Sequence, residues 1–339
     1  MTDGTYIGPQ PVAPFPDDVV SAQEHALGLR PAIEDHLLGL KGRLDRIFLV
    51  GAGGSLLGLV PAQYLLDKHA VTPTVSLNSD EFFYRAPASV GPATLVVLLS
   101  GTGRTKETIR AAEWAIGRGA TVAAVTLKED GDLAKAVPTA FVARTGHGSQ
   151  IVLQLVALAL LKREGFDTAA RHRALAALPT ALLAALEGFE PRTRAIAEAM
   201  KDVPATQVFA SGPLFGAAST FTMCYLQEMQ WMHAATINAD EFFQGPFEVI
   251  DKATRSIVFL GEDETRPMGE RVRRFLDRYG GETFYVDGRD FALPGVEPAE
   301  RGYVLPLVFH GLAARLAAHY SAVRGYALEG RRYMWKVDY

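Results

Sequence analysis

The sequence predicts an α/β protein with two similar halves, each a mostly parallel sheet flanked by helices. Short apolar runs typical of buried strands alternate with helical segments, and this alternation favours right-handed crossovers between parallel strands. One run, Leu95–Leu99, contains only Val and Leu, which suits a strand covered on both faces. The hexapeptide Asn78–Phe83 recurs as Asn238–Phe243 with five of six residues identical. Because the two copies also follow similar predicted elements, they indicate an internal duplication.

Composition limits the classes of protein to which the chain can belong. With 339 residues, 48% hydrophobic and 21% charged, the chain is long and apolar enough for two α/β domains. A formal net charge of −4 disfavours a nucleic acid or an anionic membrane as a partner. The single cysteine, Cys224, excludes an intramolecular disulfide and lies in an apolar run where a buried thiol is expected. No signal peptide or membrane span is recognised, so we expect a cytoplasmic protein.

The first half is predicted to consist of an N-terminal segment and one subdomain. Residues 1–40 are expected to form an extended arm and two covering helices, and residues 41–165 form the first subdomain. The predicted strands are Arg46–Val50, Val71–Leu77, Leu95–Leu99, Ala120–Leu127 and Thr139–Ala143. The predicted helices are Val19–Gly28, Pro31–Leu40, Leu56–Lys68, Lys106–Gly117 and Gln150–Arg163.

The second half is predicted to repeat this alternation after a helical connection. Residues 166–201, rich in Ala and Leu, are expected to form a pair of linking helices before a second subdomain at 202–330. Its predicted strands are Ala205–Ala210, Arg255–Leu260 and Thr283–Val286, and its predicted helices are Leu214–His233, Glu264–Tyr279 and Leu305–Val323. Residues 331–339 form a basic and aromatic C-terminal tail.

A loop rich in hydroxyl groups, Ser100–Thr105, joins the Val/Leu strand to a helix. Side-chain hydroxyls, backbone N–H groups and the positive end of the helix dipole would converge there, which suits a phosphate. The alternative is an ordinary turn in which Thr105 only caps the helix. Ser55, at the entrance of the next predicted helix, can likewise be a phosphate ligand or a helix cap. The glycines before it do not complete a dinucleotide-binding fingerprint, because Leu56 stands where that pattern needs glycine. In the second half, carboxylates in Gly261–Glu264 would repel a phosphate, so we expect the first half to bind the anion.

These features together resemble the sugar isomerase (SIS) domain family. The matching segments are Ser55, the Ser100–Thr108 loop, Glu81-Phe82, Gln227-Glu228, Gln244-Gly245-Pro246 and the ending Arg332–Lys336. Within that family the chain is similar, over residues 41–339, to the fructoselysine-6-phosphate deglycases and to the isomerase half of glucosamine-6-phosphate synthase. The resemblance implies two SIS subdomains, each a flavodoxin-like three-layer sandwich. It also implies a homodimer or higher oligomer with a phosphosugar site at a subunit boundary.

The resemblance also implies roles for individual residues. Glu228 matches the general acid/base glutamate, and Lys336 matches a lysine that approaches the sugar. Gln244 stands at the family's histidine position, and a glutamine cannot exchange a proton near neutral pH. His233 is a candidate substitute, but a role in capping the helix end or packing at an interface is preferred for it. The candidate phosphate- and sugar-binding residues are Gly53, Ser55, Ser100, Gly101, Thr102, Thr105, Glu81 and Glu241, of which Glu81 and Glu241 can alternatively cap helices.

The function that the resemblance implies is hydrolysis of a 6-phosphorylated fructosamine to a hexose 6-phosphate and a free amine or amino acid. The chemistry requires no metal or redox cofactor, and the sequence contains no cluster of metal ligands. One alternative is a phosphosugar aldose–ketose isomerase or an aminating enzyme with the same phosphate site. A second alternative is a non-catalytic sugar-phosphate-binding protein, which the replacement of histidine by Gln244 would suit.

Overall fold

The computed structural model describes residues 6–338, which fall into two compact units. The five-stranded unit contains residues 17–179 and 295–300, and the four-stranded unit contains the rest of the described chain. Both units are α/β with parallel sheets, as the alternation of strands and helices predicts. No helix within residues 6–338 combines the length and apolar character needed to cross a bilayer.

The five-stranded unit is built on the strand that the Val/Leu run predicts. Its strands are β1 (Arg46–Gly51), β2 (Thr74–Asn78), β3 (Thr94–Ser100), β4 (Thr121–Thr126) and β5 (Thr139–Val142). They lie in the order β2-β1-β3-β4-β5, and every neighbouring pair is parallel. The central strand β3 is buried along its whole length, which explains why it contains no polar residue between Thr94 and Ser100.

Eight helices of this unit cover the sheet or pack on one another. They are α1 (Val19–Gly28), α2 (Arg30–Leu38), α3 (Gly54–Gly58), α4 (Val60–His69), α5 (Ser79–Arg85), α6 (Lys106–Gly117), α7 (Asp132–Ala136) and α8 (Gly146–Arg163). Phe82 of α5 and the alanines of α6 bury one face of the sheet, while α1, α2 and α4 pack on α8. The predicted bounds of α1 and α6 are confirmed to the residue.

Two other predicted helices of this unit differ from the structure, and the predicted strand Val71–Leu77 begins only at Thr74. The predicted helix Leu56–Lys68 is interrupted, because α3 ends at Gly58 and α4 begins at Val60 with Pro61 in its first turn. Pro61 has no N–H to continue the hydrogen bonds of the first helix. Helix α8 begins before the predicted Gln150, since the Thr145 hydroxyl caps it by accepting a hydrogen bond from the Gly148 N–H at 3.1 Å.

The connection between the halves is one helix, so the predicted pair of linking helices is wrong. Helix α9 runs over 32 residues, Ala169–Met200, through both Pro179 and Pro191. Each proline removes one backbone donor, but the surrounding Ala and Leu residues favour the helix strongly enough to continue it.

The four-stranded unit repeats the topology of the first. Its strands β6 (Thr206–Ala210), β7 (Ala234–Asn238), β8 (Ser256–Leu260) and β9 (Thr283–Asp287) are parallel and lie in the order β7-β6-β8-β9. This order corresponds to β2-β1-β3-β4 of the first sheet, which confirms the predicted duplication. Strand β7 was not among the predicted strands, because His233 and the partly exposed residues after it lack a continuous apolar run.

The remaining helices of this unit include an unusual segment. They are α10 (Phe215–Ser219), a π-helix (Thr220–Met229), α11 (Arg266–Tyr279) and α12 (Arg301–Arg324). The long helix predicted for Leu214–His233 is therefore wrong: after α10 the backbone adopts π geometry, with the Gln230 N–H bonding to the Tyr225 carbonyl at 3.0 Å. Trp231, with φ of 55°, follows the π-helix and ends this helical segment. Such π segments are rare and occur frequently at functional sites.

Strand β9 ends the second sheet, which has no counterpart of β5 among the described residues. Arg192 of α9 reaches this outer strand, where its Nη2 donates to the Tyr285 carbonyl at 2.8 Å. Its Nη1 binds the Asp290 carboxylate at 2.5 Å. The charged Arg192 side chain therefore occupies one of the backbone carbonyl acceptors of β9, the outer strand.

Candidate active site

The Ser100–Thr105 loop leaves the carboxyl end of β3 and enters α6. Ser100 is buried, and its Oγ lies 3.0 Å from the Oγ1 of Thr105. Thr105 stands at the N-cap of α6 but makes no side-chain cap hydrogen bond. Thr102 is exposed, and its Oγ1 accepts a hydrogen bond from the Arg104 N–H at 3.2 Å. The simple capping role for Thr105 is therefore not observed, and its hydroxyl faces Ser100 instead.

Gly103 fixes the shape of this loop. Its φ of 66° favours glycine, and a Cβ at this position would lie 3.1 Å from the Gly131 Cα. The Gly103 carbonyl accepts a hydrogen bond from the Leu133 N–H at 2.9 Å, and the Gly101 carbonyl accepts one from the Leu127 N–H at 3.2 Å. The loop is therefore held against the segment that follows β4.

Ser55 and Gly53 lie beside this loop. Gly53, with φ of 55°, precedes α3, and Ser55 is half-buried in the first turn of that helix. Their strand, β1, is the direct parallel neighbour of β3, with Gly51 opposite Leu99. Both loops therefore emerge side by side at the carboxyl edge of the sheet, which is where parallel α/β sheets bind ligands.

Glu81 emerges at the same edge, after the neighbouring strand β2. It is exposed and pairs at 3.3 Å with Arg85, one helical turn later in α5. The structure thus brings Gly53, Ser55, Glu81 and the Ser100–Thr105 loop to one edge of a single sheet.

The equivalent place in the four-stranded unit holds its own carboxylate. Asp263, the counterpart of Gly103 in the duplication, accepts hydrogen bonds at Oδ1 from the Thr265 N–H at 2.9 Å and from the Thr265 hydroxyl at 2.5 Å. Thr265 is the counterpart of Thr105, and its Oγ1 also lies 3.0 Å from Ser211 Oγ. The hydroxyl and N–H donors of this loop are therefore already engaged by an internal anion.

Glu228 lies near the end of the π-helix and is partnered by an arginine of the C-terminal tail. Its Oε1 is 2.7 Å from Nη2 of Arg331, with 23% of the Glu228 side chain and 8% of the Arg331 side chain exposed. Burial, with Cys224 and Glu228 nearby, raises the pKa of Tyr225 to about 12, so this phenol stays protonated. Sequence reasoning missed Arg331; the only signal was a basic pair close to Lys336.

The tail is attached to the same region by aromatic contacts. The Arg332 guanidinium lies 4.0 Å from the centroid of the Trp231 ring, and the Arg331 guanidinium lies 5.2 Å from that of Trp335. Lys336 is exposed at the end of a short turn, in which its N–H donates to the Tyr333 carbonyl at 2.8 Å. The ammonium group of Lys336 is therefore carried on a segment docked beside the π-helix.

The other predicted site residues of this unit lie in the chain before and after strand β7. His233 directly precedes the strand; its side chain is exposed, and its carbonyl accepts the Thr206 N–H at 2.9 Å. Gln244 and Glu241 follow the strand in a short 3₁₀ helix and are both exposed. Since Gln227, next to Glu228, hydrogen-bonds to the Ala234 carbonyl, Glu228 lies near the beginning of β7. The five residues of β7 span about 13 Å, with Glu228 near the beginning of the strand and Gln244 six residues beyond its end.

Within residues 6–338, no group of three or more His, Cys, Asp or Glu side chains is arranged to hold a metal ion. The Ser100–Thr105 loop and the start of α3 bring neutral hydroxyls and backbone N–H groups to the carboxyl edge of the five-stranded sheet, with Arg104 in the same loop. Such donors suit an oxyanion.

Known proteins resemble this chain along most of its length. The SIS domain family model matches residues 43–162. The chain is 33% identical to the fructosamine deglycase FrlB of Bacillus subtilis, covering 91% of this chain and 97% of the relative. It is 25% identical to the fructoselysine 6-phosphate deglycase of Escherichia coli K12, covering 93% of this chain and 92% of the relative.

Solved structures share the same architecture. A Bacillus subtilis protein provisionally named a phosphosugar isomerase superposes with a TM-score of 0.87 at 30% identity, covering 93% of this chain and 100% of the other. The C-terminal domain of glucosamine-fructose-6-phosphate aminotransferase from Francisella tularensis shares the fold, with a TM-score of 0.73 at 17% identity over 90% of this chain and 97% of that one. The chain belongs to the SIS domain family, as its motifs predict.

Proposed function

We propose that this chain is a deglycase that hydrolyses a 6-phosphorylated fructosamine to a hexose 6-phosphate and a free amine or amino acid. The observation that carries the proposal is full-length similarity to a fructosamine deglycase in a chain with two hydroxyl-lined loops at one sheet edge. Residues 41–165 and 202–330 would be its two SIS subdomains, joined by 166–201. Because sugar phosphates are intracellular metabolites, we place the reaction in the cytoplasm.

The phosphate would bind at the carboxyl edge of the five-stranded sheet. Ser55, Ser100, Thr102 and Thr105 would supply hydroxyl donors, with backbone N–H groups at Gly53 and Gly101 beside them. Neutral donors orient a phosphate through several hydrogen bonds while leaving the rest of the sugar free to react. Glu81 lies at the same edge and would face the sugar.

Glu228 would transfer the proton in the chemical step. In a fructosamine the carbonyl is at C2 and the amine is on C1. Removal of a proton from C1 with protonation of the C2 oxygen gives an enaminol. Return of a proton to C2 with loss of the nitrogen proton gives an imine at C1, and water then adds at C1 and releases the amine. A carboxylate held on a rigid helix can carry out both transfers. Lys336, on the docked tail, would approach the sugar.

Gln244 would orient the substrate by hydrogen bonds, because an amide does not exchange protons near neutral pH. Glu228 lies near the beginning of β7, and Gln244 lies beyond its end. We therefore propose a homodimer in which a second copy supplies Gln244, with Glu241 beside it. His233 lies at the edge away from Gln244, which makes it a weaker candidate for the missing proton relay.

The test is product analysis with a 6-phosphofructosyl amino acid. The wild-type chain is expected to release free amino acid and hexose 6-phosphate in equal amounts. Conversion of the substrate without amine release would instead support the isomerase alternative, and no conversion would support a binding protein.

Glu228→Gln is expected to lose at least about 100-fold in kcat. Undiminished turnover in that variant would remove Glu228 from the mechanism.

A further inference from the structure

We propose that Arg331 is a positioning residue that fixes the Glu228 carboxylate and couples it to the conformation of the C-terminal tail. This inference rests on the proposed function, in which Glu228 transfers the proton. It concerns a contact within the four-stranded unit, between the end of the π-helix and the segment that follows α12.

The guanidinium of Arg331 binds in two directions at once. One nitrogen, Nη2, pairs with Oε1 of Glu228 at 2.7 Å. The other, Nη1, donates to the carbonyls of Leu328 and Gly330 at 2.7 and 2.8 Å. The planar fork of arginine can make both sets of contacts from one side chain, whereas a lysine ammonium cannot reproduce that geometry.

The burial of Arg331 gives these contacts energetic weight. Only 8% of its side chain is exposed, and its Nε is buried without a hydrogen-bond partner among residues 6–338. A buried guanidinium stays charged, and a carboxylate that loses such a partner is left uncompensated. The pair is therefore far more costly to break than an exposed ion pair of the same length.

The same side chain also determines where the tail runs. Its guanidinium lies against the ring of Trp335, which directly precedes Lys336. A displacement of the tail would pull Arg331 away from Glu228, and a rotation of the Glu228 carboxylate would release the tail. Arg331 would thereby make the proton-transfer geometry depend on a docked tail.

The test compares Arg331→Met and Arg331→Lys with a matched control, Arg315→Met. Arg315 is equally buried, with 8% of its side chain exposed, and pairs with Glu190 in the same unit. It also contacts the Ala13 carbonyl and the Phe15 ring, near the other end of the chain. We expect R331M to lower kcat about 10- to 100-fold with KM changed less than about threefold. R331K, which keeps the charge but loses the fork, should lie between R331M and wild type. R315M should lower the melting temperature and leave kcat within about twofold.

A double-mutant cycle separates positioning from general damage to the structure. If Arg331 acts through Glu228, E228Q/R331M should be no more than about twofold slower than E228Q alone. The proposal would be overturned if the losses in kcat of E228Q and R331M multiplied in the double variant. It would also be overturned if R331M kept the wild-type kcat, or if R315M lost as much kcat as R331M. If R331M does not fold, R331K with wild-type kcat would overturn it. A wild-type chain that releases no amine would overturn the proposed function and this role together, whereas the other outcomes concern Arg331 alone.

Discussion

At the scale of single residues, the duplication makes one threonine a control for another. Thr105 and Thr265 occupy equivalent positions, but Thr105 faces Ser100 in the candidate phosphate loop, whereas Thr265 binds the internal carboxylate of Asp263. The sequence shows two identical residues. Only the structure shows that the donors of one loop are already engaged.

The first prediction uses this pair. Thr105→Val keeps the side-chain shape and removes the hydroxyl, so a hydrogen bond to a charged phosphate is lost and KM should rise about tenfold or more. Thr265→Val should change KM less than about twofold, although it should lower the melting temperature. Steady-state kinetics with the phosphorylated substrate measures both. Equal KM values in wild type and T105V would contradict the assignment of Thr105.

A second prediction concerns His172, which lies in α9 with 9% of its side chain exposed. Burial, with the neighbouring charges of Arg30 and Lys162, outweighs the attraction of Glu34 and lowers the pKa of His172 to about 4. The ring is therefore expected to stay neutral above pH 4. An NMR titration of its Cε1 proton checks this, and a midpoint near the ordinary histidine value would contradict it.

The same shift sets a direction for stability. Because the folded pKa lies below the unfolded value of 6.5, the unfolded chain binds more protons between these values. The contribution of His172 to the free energy of unfolding should therefore fall as the pH is lowered from 6.5 toward 4. Replacement by Gln should flatten that part of the stability curve.

At the scale of elements, the two halves differ at several positions of equivalent loops, and one of these differences places a carboxylate among the donors of the second loop. Gly103 places no side chain in the first loop, whereas Asp263 places a carboxylate in the second. Gly103→Asp transfers that difference. We expect the added carboxylate to repel the substrate phosphate and to raise KM at least about 100-fold.

The control for this exchange is Gly103→Asn. Asparagine has nearly the same shape and also tolerates positive φ, but it carries no charge. Circular dichroism and the melting temperature should be alike in the two variants, while KM is higher in G103D. Equal KM values would mean that shape alone excludes the phosphate.

Elements with a strong local signal were predicted well, and elements determined by their surroundings were not. Strand β3 and helix α6 carry a continuous apolar run and a clear helical period, and their positions were confirmed. The π-helix and strand β7 have no such signal. The Thr222 and Thr236 hydroxyls, 2.8 Å apart, join these two elements, and such a tertiary contact is invisible in a linear pattern.

The candidate site shows the same division. The loops at Ser55 and Ser100 are recognisable because each lies within a few residues of its strand. The partner of Glu228 is Arg331, far away in the sequence and on a tail without regular structure. Long-range ion pairs of this kind leave no periodic pattern.

At the scale of the whole molecule, Glu228 lies near the beginning of β7 and Gln244 beyond its end. This placement predicts that each active site of a dimer takes Glu228 from one chain and Gln244 from the other. Glu228→Gln and Gln244→Ala chains, each impaired alone, should complement one another after subunit exchange. In a random mixture of dimers, half would be mixed, and one of their two sites would be intact, so about a quarter of the wild-type rate should return. Activity that stays at the level of the unmixed variants would show that each chain builds its own site.

Arg192 has a consequence for how the molecule behaves among its neighbours. The outer strand of an open sheet can recruit a strand from another polypeptide, which is a route to aggregation. By bonding to the Tyr285 carbonyl, Arg192 places a charge where an incoming strand would need to pair. We therefore expect Arg192, a residue of helix α9, to contribute to solubility at high concentration.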